Sequence, residues 1–431
     1  MKTMDKGLEQ ILEESSRWLE IGSRIPAPPP AAGEGPRELH FELTYSCNQK
    51  CLMCDIWPRY REKPELKKRE LTVLEVRSLV ADSGLLRNLE LVLLSGGEPF
   101  LRPDLPDLAA LFARTAPGAQ LVILSNCMNG KLIVQSLDRL FQESPGARLM
   151  LGTSLDGVGE THDRIRGTPG AFDKLEETLA MVRSRFPRMK LETNFTITPD
   201  NFRDLLPAFY FARAAGAGFT AQFPIPWEGT AEFKWSKEDL CRVRGEVREI
   251  EENILRAERP RLGPVPLHLI AKIRYWEGLL DYQERPRRLF PDCPAGSRYA
   301  MFSPQGDLYF CPKLKNLTAG NIREAPFDEL WRGEKAERVR AVIRSGACHC
   351  WLNCTTYVSL TQTLERGMPR QGKIALSAER KIGSLVAVVR SHLHRRSPAA
   401  LQALVSALVF PYLLATAGRF YLRRYFRRRQ E

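Results

Sequence analysis

Cys47, Cys51 and Cys54 lie in the stretch Leu43-Thr-Tyr-Ser-Cys-Asn-Gln-Lys-Cys-Leu-Met-Cys54, separated by three and then two residues. A strand-like apolar run, 39–43, leads directly into them. Three thiolates gathered in one loop can hold three irons of a cubic iron–sulfur cluster, whose usual protein complement is four cysteines. The fourth iron then lacks a protein ligand, and an open metal position is where a substrate or cofactor binds. The spacing therefore points to chemistry rather than to electron storage alone. A closed zinc knuckle would need a fourth ligand, and no further cysteine lies nearby.

Cys293, Cys311, Cys348, Cys350 and Cys354 form a second group. Strand-like runs at 299–302 and 308–310 flank the turn Ser303-Pro-Gln-Gly-Asp307, a hairpin signal in which Gly306 brings Cys293 and Cys311 together. Eight of the ten cysteines thus fall in two clusters. In a reducing cytosol such clusters read as metal ligands rather than as a disulfide framework. Cys127 and Cys241 stand alone and read as inert, partly buried thiols.

The elements that must position these residues follow a β–α alternation. Short apolar runs occur at 39–43, 89–94, 121–124, 149–154, 191–197 and 219–223. Amphipathic stretches at 72–83, 105–115, 131–142, 171–185 and 202–215 lie between them. Buried strands alternating with helices imply a parallel sheet with helices outside. Six units suit an α/β fold of the partial (β/α)6 barrel type, whose functional groups sit at the C-terminal ends of the strands. The chemically suggestive residues fall there. Cys47 follows the first strand, Ser95-Gly-Gly-Glu-Pro99 the second, Ser125-Asn126 the third and Ser154-Leu-Asp-Gly157 the fourth; Asn194 and Gln222 belong to the fifth and sixth. Polar clusters converging on one rim are hard to explain as packing.

Five segments result: an amphipathic helix and proline-rich linker (1–37), the barrel (38–235), a helical connector (236–290), a small cysteine-rich α+β domain (291–370) and a basic, apolar helical tail (371–431). In the first, Leu8, Ile11, Leu12 and Leu19 share a face that Ser15 interrupts. Charges throughout residues 1–22 exclude a secretory signal peptide. The net charge of +13 is concentrated at the other end, where residues 381–431 hold ten Lys/Arg and one Glu. The body is only mildly basic, so no nucleic-acid surface is expected.

The three motifs, C-x3-C-x2-C, Gly-Gly-Glu-Pro and Ser-Leu-Asp-Gly continuing as Glu160-Thr-His-Asp-Arg-Ile-Arg-Gly167, occur in order on this β/α pattern. Together they resemble the radical S-adenosylmethionine (radical SAM) superfamily over roughly residues 38–230. The resemblance implies a [4Fe–4S] cluster on Cys47, Cys51 and Cys54 whose open iron chelates SAM. Reductive cleavage would then yield methionine and a 5′-deoxyadenosyl radical that abstracts a hydrogen atom from substrate. The cofactors carry that chemistry and the protein orients them. Gly96 and Gly97 would let the main chain approach the ligand. Glu98 or the glycine main chain would receive the SAM ammonium. Asn126 and Ser154 would bond its ribose or carboxylate, and Arg166 or Arg164 would pair with the carboxylate. His162 reads as a surface helix residue.

The pattern Cys293-x12-Gly306-x4-Cys311 resembles the opening of the SPASM domain, an extension that houses auxiliary iron–sulfur clusters. Five cysteines rather than seven imply the shortened, twitch-like form with one auxiliary cluster, of the [4Fe–4S] type. The sequence does not decide between Cys348 and Cys350. An electron donor such as flavodoxin or ferredoxin is implied as a partner. Two substrate classes compete: a lipid-linked or otherwise membrane-proximal molecule, which the tail favours, and as the alternative a ribosomally made peptide. A non-enzymatic iron–sulfur carrier or scaffold is the alternative of another class.

The membrane reading comes from the tail. Residues 397–418 carry no charge. As a helix they would reach about 33 Å, enough to span a bilayer. Arginines flank the segment on both sides and Pro411 interrupts it. That pattern favours a peripheral helix on the cytoplasmic face over a single crossing, with docking on a partner or on the enzyme's own core as the other reading.

Overall fold

The structure, a computed structural model, describes residues 6–26, 34–224, 233–259, 265–290, 292–369 and 372–373. The uncharged segment 397–418 and its arginine flanks lie outside the described residues. Within them, no helix is long and apolar enough to cross a membrane. The chain forms two compact units: a larger one, Ala27–Glu251 with Tyr275–Ser359, and a smaller one, Met1–Pro26 with Glu252–Arg274 and Leu360–Glu431.

The larger unit is built on one nine-stranded sheet. Its strands are β1 (Glu38–Thr44), β2 (Leu91–Gly96), β3 (Gln120–Ser125), β4 (Arg148–Ser154), β5 (Lys190–Thr196), β6 (Gly218–Gln222), β7 (Tyr299–Phe302), β8 (Asp307–Tyr309) and β9 (Gly320–Asn321). Their order is β6-β5-β4-β3-β2-β1-β7-β8-β9. The strands β1 to β6 run parallel, and β7 extends the parallel set beyond β1. The β7–β8–β9 meander is antiparallel. β6 and β9 are the two ends of this order, so the barrel is open, as the six β–α units predict. The cysteine-rich hairpin is continuous with the barrel sheet through β7.

Alternation along β1 shows how the sheet separates packing from chemistry. Leu39, Phe41 and Leu43 are buried in the core, and Phe41 meets Phe112 edge-on. Glu38, His40 and Glu42 take the opposite face, which lines the barrel interior. The outer helices bury stripes at helical spacing: Ile133, Leu137 and Leu140 in Gly130–Glu143, and Leu175, Leu179 and Val182 in Ala171–Arg185. Each such side chain contributes about 1.5–3 kcal/mol by leaving water. Thr72 and Glu75 form a reciprocal capping box at the start of Val73–Asp82. The helix expected over 202–215 begins instead as a 3-10 turn, Phe202–Asp204, before Leu205–Ala214.

In the smaller unit the helix Lys6–Arg24 buries Leu8, Ile11, Ser15 and Gly22. Ser15 therefore belongs to the contact face rather than breaking it. Its hydroxyl is satisfied by donating to the Ile11 carbonyl, and its small size permits close approach. Leu12 and Leu19 are only half-buried. A Cβ added at Gly22 would fall 1.9 Å from the Thr363 carbonyl oxygen, and one at Gly367 would fall 1.8 Å from that of Trp18. Both glycines are required by this crossing. Gly22→Ala should cost about 1–3 kcal/mol of stability through overpacking, read as a lower urea midpoint by circular dichroism.

Candidate functional site

The loop after β1 carries Cys47, Cys51 and Cys54 as free thiols, Cys51 buried and the others half-buried. Main-chain bonds hold it in place. Lys50 N–H donates to Arg166 O (3.2 Å) and Leu52 N–H to Ile165 O (3.0 Å). Trp57 Nε1 donates to Cys51 O (3.2 Å). Gly167, at φ +62, lets the chain pass against Lys50, whose carbonyl oxygen would lie 2.4 Å from an added Cβ. The three thiols feel one another's charge, and Arg166 opposes that repulsion. Burial pushes Cys51 up to about 12. Such thiols ionise when a metal replaces the proton. No group of three or more His, Cys, Asp or Glu side chains among the described residues closes around a single metal-ion position. The fit to a larger inorganic cluster rests on the convergence of three thiols and their counter-charge.

The Gly-Gly-Glu motif packs on that loop. Gly97 N–H donates to Thr44 O (2.6 Å) and Glu98 N–H to Ser46 O (2.8 Å). An added Cβ at Gly96, which sits at φ +127, would lie 2.1 Å from Thr44 O; at Gly97 it would lie 2.1 Å from Ser46 O. The close approach these glycines permit is to the cysteine loop's own main chain. Glu98 is buried, and desolvation raises its carboxyl to about 7. Its oxygens accept from Phe100 N (3.1 Å) and Asn126 N (2.6 Å), tying β2 to β3. Glu98→Gln should leave one of these N–H groups facing an amide donor. The expected cost is about 1–3 kcal/mol, measurable by thermal denaturation.

Asn126 reaches the same loop. Its Nδ2 donates to Asn48 Oδ1 (2.6 Å) and lies 3.9 Å from Cys47 Sγ. Ser154 ends β4, half-buried and paired in register with Asn194. Asn194 Oδ1 in turn accepts from Thr220 Oγ1 (3.2 Å) and lies 3.5 Å from Asn353 Nδ2. Gln222 Oε1 is a buried acceptor with no partner among the described residues.

Arg166 is committed beneath the loop. It pairs with the fully buried Asp156 (3.1 Å) and donates from Nε to Gln49 Oε1 (2.9 Å). Asp156 also accepts from Thr196 N (2.7 Å). Arg164 is exposed and donates to Asp200 O (2.7 Å). His162, expected at the surface, is buried: its Nδ1 accepts from Asp156 N (3.1 Å), and desolvation lowers its pKa to about 3. The helix Glu160–Arg166 turns that face inward because its end must close on the cysteine loop. Asp156 was the missed organiser. Its signal was an acid inside the Ser-Leu-Asp-Gly motif, ten residues before an arginine. Cys127 is fully buried, whereas Cys241 is exposed rather than partly buried.

The second cysteine group also converges. Gly306, at φ +91, makes the turn between β7 and β8. Cys293, Cys311, Cys348 and Cys350 line one cavity of about 50 Å³ together with Arg288, Lys313 and His349. Lys313 N donates to Cys311 Sγ (3.3 Å), and Lys313 Nζ donates to His349 O (2.8 Å). The charge of Cys350 acts on Cys293, Cys311 and Cys354 alike. Burial pushes the Cys293 thiol up to about 12 and Cys354 further. Thiols that repel one another, Cys311 buried and the other four half-buried, beside basic side chains suit an inorganic cluster.

Residues 41–208 match the family model of the radical SAM superfamily, and residues 293–355 match that of the SPASM iron–sulfur cluster-binding domain. The chain carries a radical SAM domain, with a SPASM domain on its C-terminal side. It is accordingly an enzyme, with SAM and [4Fe–4S] clusters as its cofactors. Among curated relatives it is similar to the AdoMet-dependent heme synthase of Methanosarcina barkeri, 28% identical over 316 residues, 72% of this chain and 85% of that protein. It is also similar to the PqqA peptide cyclase of Granulibacter bethesdensis, 25% identical over 317 residues, 70% of this chain and 75% of that one. The crystal structure of Streptococcus suis SuiB bound to precursor peptide SuiA shares the fold, with a TM-score of 0.52 at 16% identity over 80% of this chain and 73% of that one.

Proposed function

We propose that this enzyme reductively cleaves SAM at the Cys47–Cys51–Cys54 loop and abstracts a hydrogen atom from a peptide substrate held inside the barrel. When bound, the cluster supplies the electron that cleaves the sulfonium. The chain's own residues do the rest. Glu98 already accepts two main-chain hydrogens, so the SAM ammonium falls to the carbonyls of Gly96 and Gly97. Asn126 and Ser154, on neighbouring strand ends, take the ribose or carboxylate. Arg166, held by Asp156 and Gln49, serves as counter-charge to the thiolates rather than as the carboxylate clamp. Cys350, electrostatically central among the later cysteines, is assigned as an auxiliary ligand with Cys293, Cys311 and Cys354. Electrons reach both clusters from a flavodoxin- or ferredoxin-like donor, in the cytoplasm.

One observation carries the substrate class. The inner wall at β5 and β6 presents Asn194, Thr220 and Gln222 beside Asn353, and Gln222 Oε1 awaits a donor. Uncharged donors and acceptors match peptide amide groups, and a buried acceptor left unpaired disfavours a ligand without hydrogen-bond donors. Similarity to the peptide cyclase agrees with this reading. A second reading, a porphyrin side chain, is favoured by the higher identity to the heme synthase. The lipid-linked substrate rested on residues 397–418 and gains no support from the described residues.

The test is isotopic. Peptides that co-purify with the protein would be identified and remade with deuterated side chains. Deuterium appearing in 5′-deoxyadenosine supports the peptide reading. Transfer from a porphyrin deuterated on its side chains, and none from peptide, overturns it.

A further inference from the structure

The cysteine loop holds an apolar residue in water. Leu52, between Cys51 and Cys54, is 56% exposed, although its main-chain N–H is fixed on Ile165 O (3.0 Å). Trp57, half-buried, donates from Nε1 to the carbonyl that precedes Leu52, Cys51 O (3.2 Å), so the indole lies beside that residue. Ile56 N–H donates to Cys54 Sγ (3.4 Å). The chain then continues as two short helical turns, Arg59–Glu62 and Pro64–Arg69, neither of which buries a residue. The Arg61 guanidinium lies 5.6 Å from the centre of the Trp57 ring, which joins this segment to the loop.

The segment is strongly basic. Arg61, Lys63, Lys67, Lys68 and Arg69 are all exposed, against two exposed acids, Glu62 and Glu65. The acids that flank it are already taken: Asp55 pairs with Arg59, Glu70 with Arg102 and Glu75 with Arg323. Among the described residues none of the five cations is in an ion pair. An exposed apolar spot beside unpaired charge of one sign suits a transient contact with a partner of the opposite sign. Charge of this kind steers encounter, and electron-transfer contacts are among the smallest specific interfaces. The position of the patch selects the partner. Its hydrogen bonds run from Trp57 and Ile56 to two of the three cysteines of the loop, a link that only a partner exchanging electrons would use.

We propose that Leu52 and Trp57, together with the basic segment 61–69, form the docking surface for an acidic one-electron carrier protein of the flavodoxin or ferredoxin class. Each productive encounter oxidises the carrier by one electron and reduces the cluster on Cys47, Cys51 and Cys54 by one, and no atom is transferred. Leu52 and Trp57 supply the dry contact, and the cations set the orientation and the rate of encounter. The proposal rests on the reading of those cysteines as a cluster that cleaves SAM, and it adds where the electron enters.

The test compares two reductants and adds a binding measurement. Oxidised flavodoxin would be titrated into the loaded full-length enzyme by calorimetry, and 5′-deoxyadenosine would be measured with photoreduced flavodoxin and, separately, with dithionite. Lys63→Glu/Lys67→Glu/Lys68→Glu should weaken flavodoxin binding and slow flavodoxin-driven cleavage about tenfold at low salt, with dithionite-driven cleavage unchanged. Binding by the parent should fall toward that of the variant at about 1 M salt, where the screening length is about 3 Å. The neutral variant Lys63→Gln/Lys67→Gln/Lys68→Gln should lose less in the same direction. Unchanged flavodoxin binding in the charge-reversed variant overturns the proposal. So does an equal loss with both reductants, which marks a structural role. Loss of binding to phosphatidylserine vesicles with flavodoxin binding intact overturns it in favour of a membrane surface. A parent that cleaves SAM with dithionite but with neither flavodoxin nor ferredoxin overturns the docking surface alone; a parent inactive with dithionite as well overturns the SAM-cleavage reading, and the proposal with it.

Discussion

Replacing Cys47, Cys51 and Cys54 together by alanine is expected to lower bound iron by about four per chain, the content of one cubane, and to abolish SAM cleavage. The three thiols are the donors that the loop after β1 offers, and they sit where Arg166 balances their charge. The fold should survive their loss. The loop is held by main-chain bonds from Lys50 and Leu52 to the end of Glu160–Arg166 and by Gly97 and Glu98 donating to Thr44 and Ser46, none of which involves sulfur. Iron analysis and circular dichroism on the same sample check both halves. Full iron retention would show that the first cluster is held elsewhere.

Asp156→Asn is expected to destabilise the enzyme by about 3–5 kcal/mol, because removing one member of a buried ion pair strands the other. Asp156 is fully buried and Arg166 nearly so, and they meet at 3.1 Å. The other oxygen of the same carboxylate accepts from Thr196 N, a bond that an asparagine keeps only by turning its amide NH2 toward Arg166. Arg166 would then lose its anchor beside Gln49 and the cysteine loop. Urea denaturation measures the effect. A change below about 1 kcal/mol, the scale of an exposed pair, would mean that water reaches Arg166 and that it is not an organiser of the loop.

Much of the barrel was legible because burial imposes period. All six strand-like runs are strands, and the helices between them appear where the apolar stripes put them, since each face of a strand or helix is recorded in its own residues. The cysteine spacing was legible for the same local reason. What the sequence hid was partnership across the chain. His162 carries no mark that its neighbour in space is the Asp156 amide, so a polar residue on a short helix read as surface. Ser15 looked like a gap because a hydroxyl can be satisfied within its own helix. The glycines at 96 and 97 announced close approach but not to what, and the structure brings the Thr44–Ser46 main chain there. Nor did local pattern show that β7 would join β1, which places Tyr299 against His40 and joins the second cysteine group to the barrel sheet.

Anaerobically reconstituted enzyme, given dithionite and SAM, should form 5′-deoxyadenosine and methionine in equal amounts, quantified by liquid chromatography with mass detection. That product should disappear in the Cys47→Ala/Cys51→Ala/Cys54→Ala variant. Formation of 5′-deoxyadenosine by the intact enzyme, with both its clusters loaded, no higher than by that variant would contradict reductive SAM cleavage by this chain.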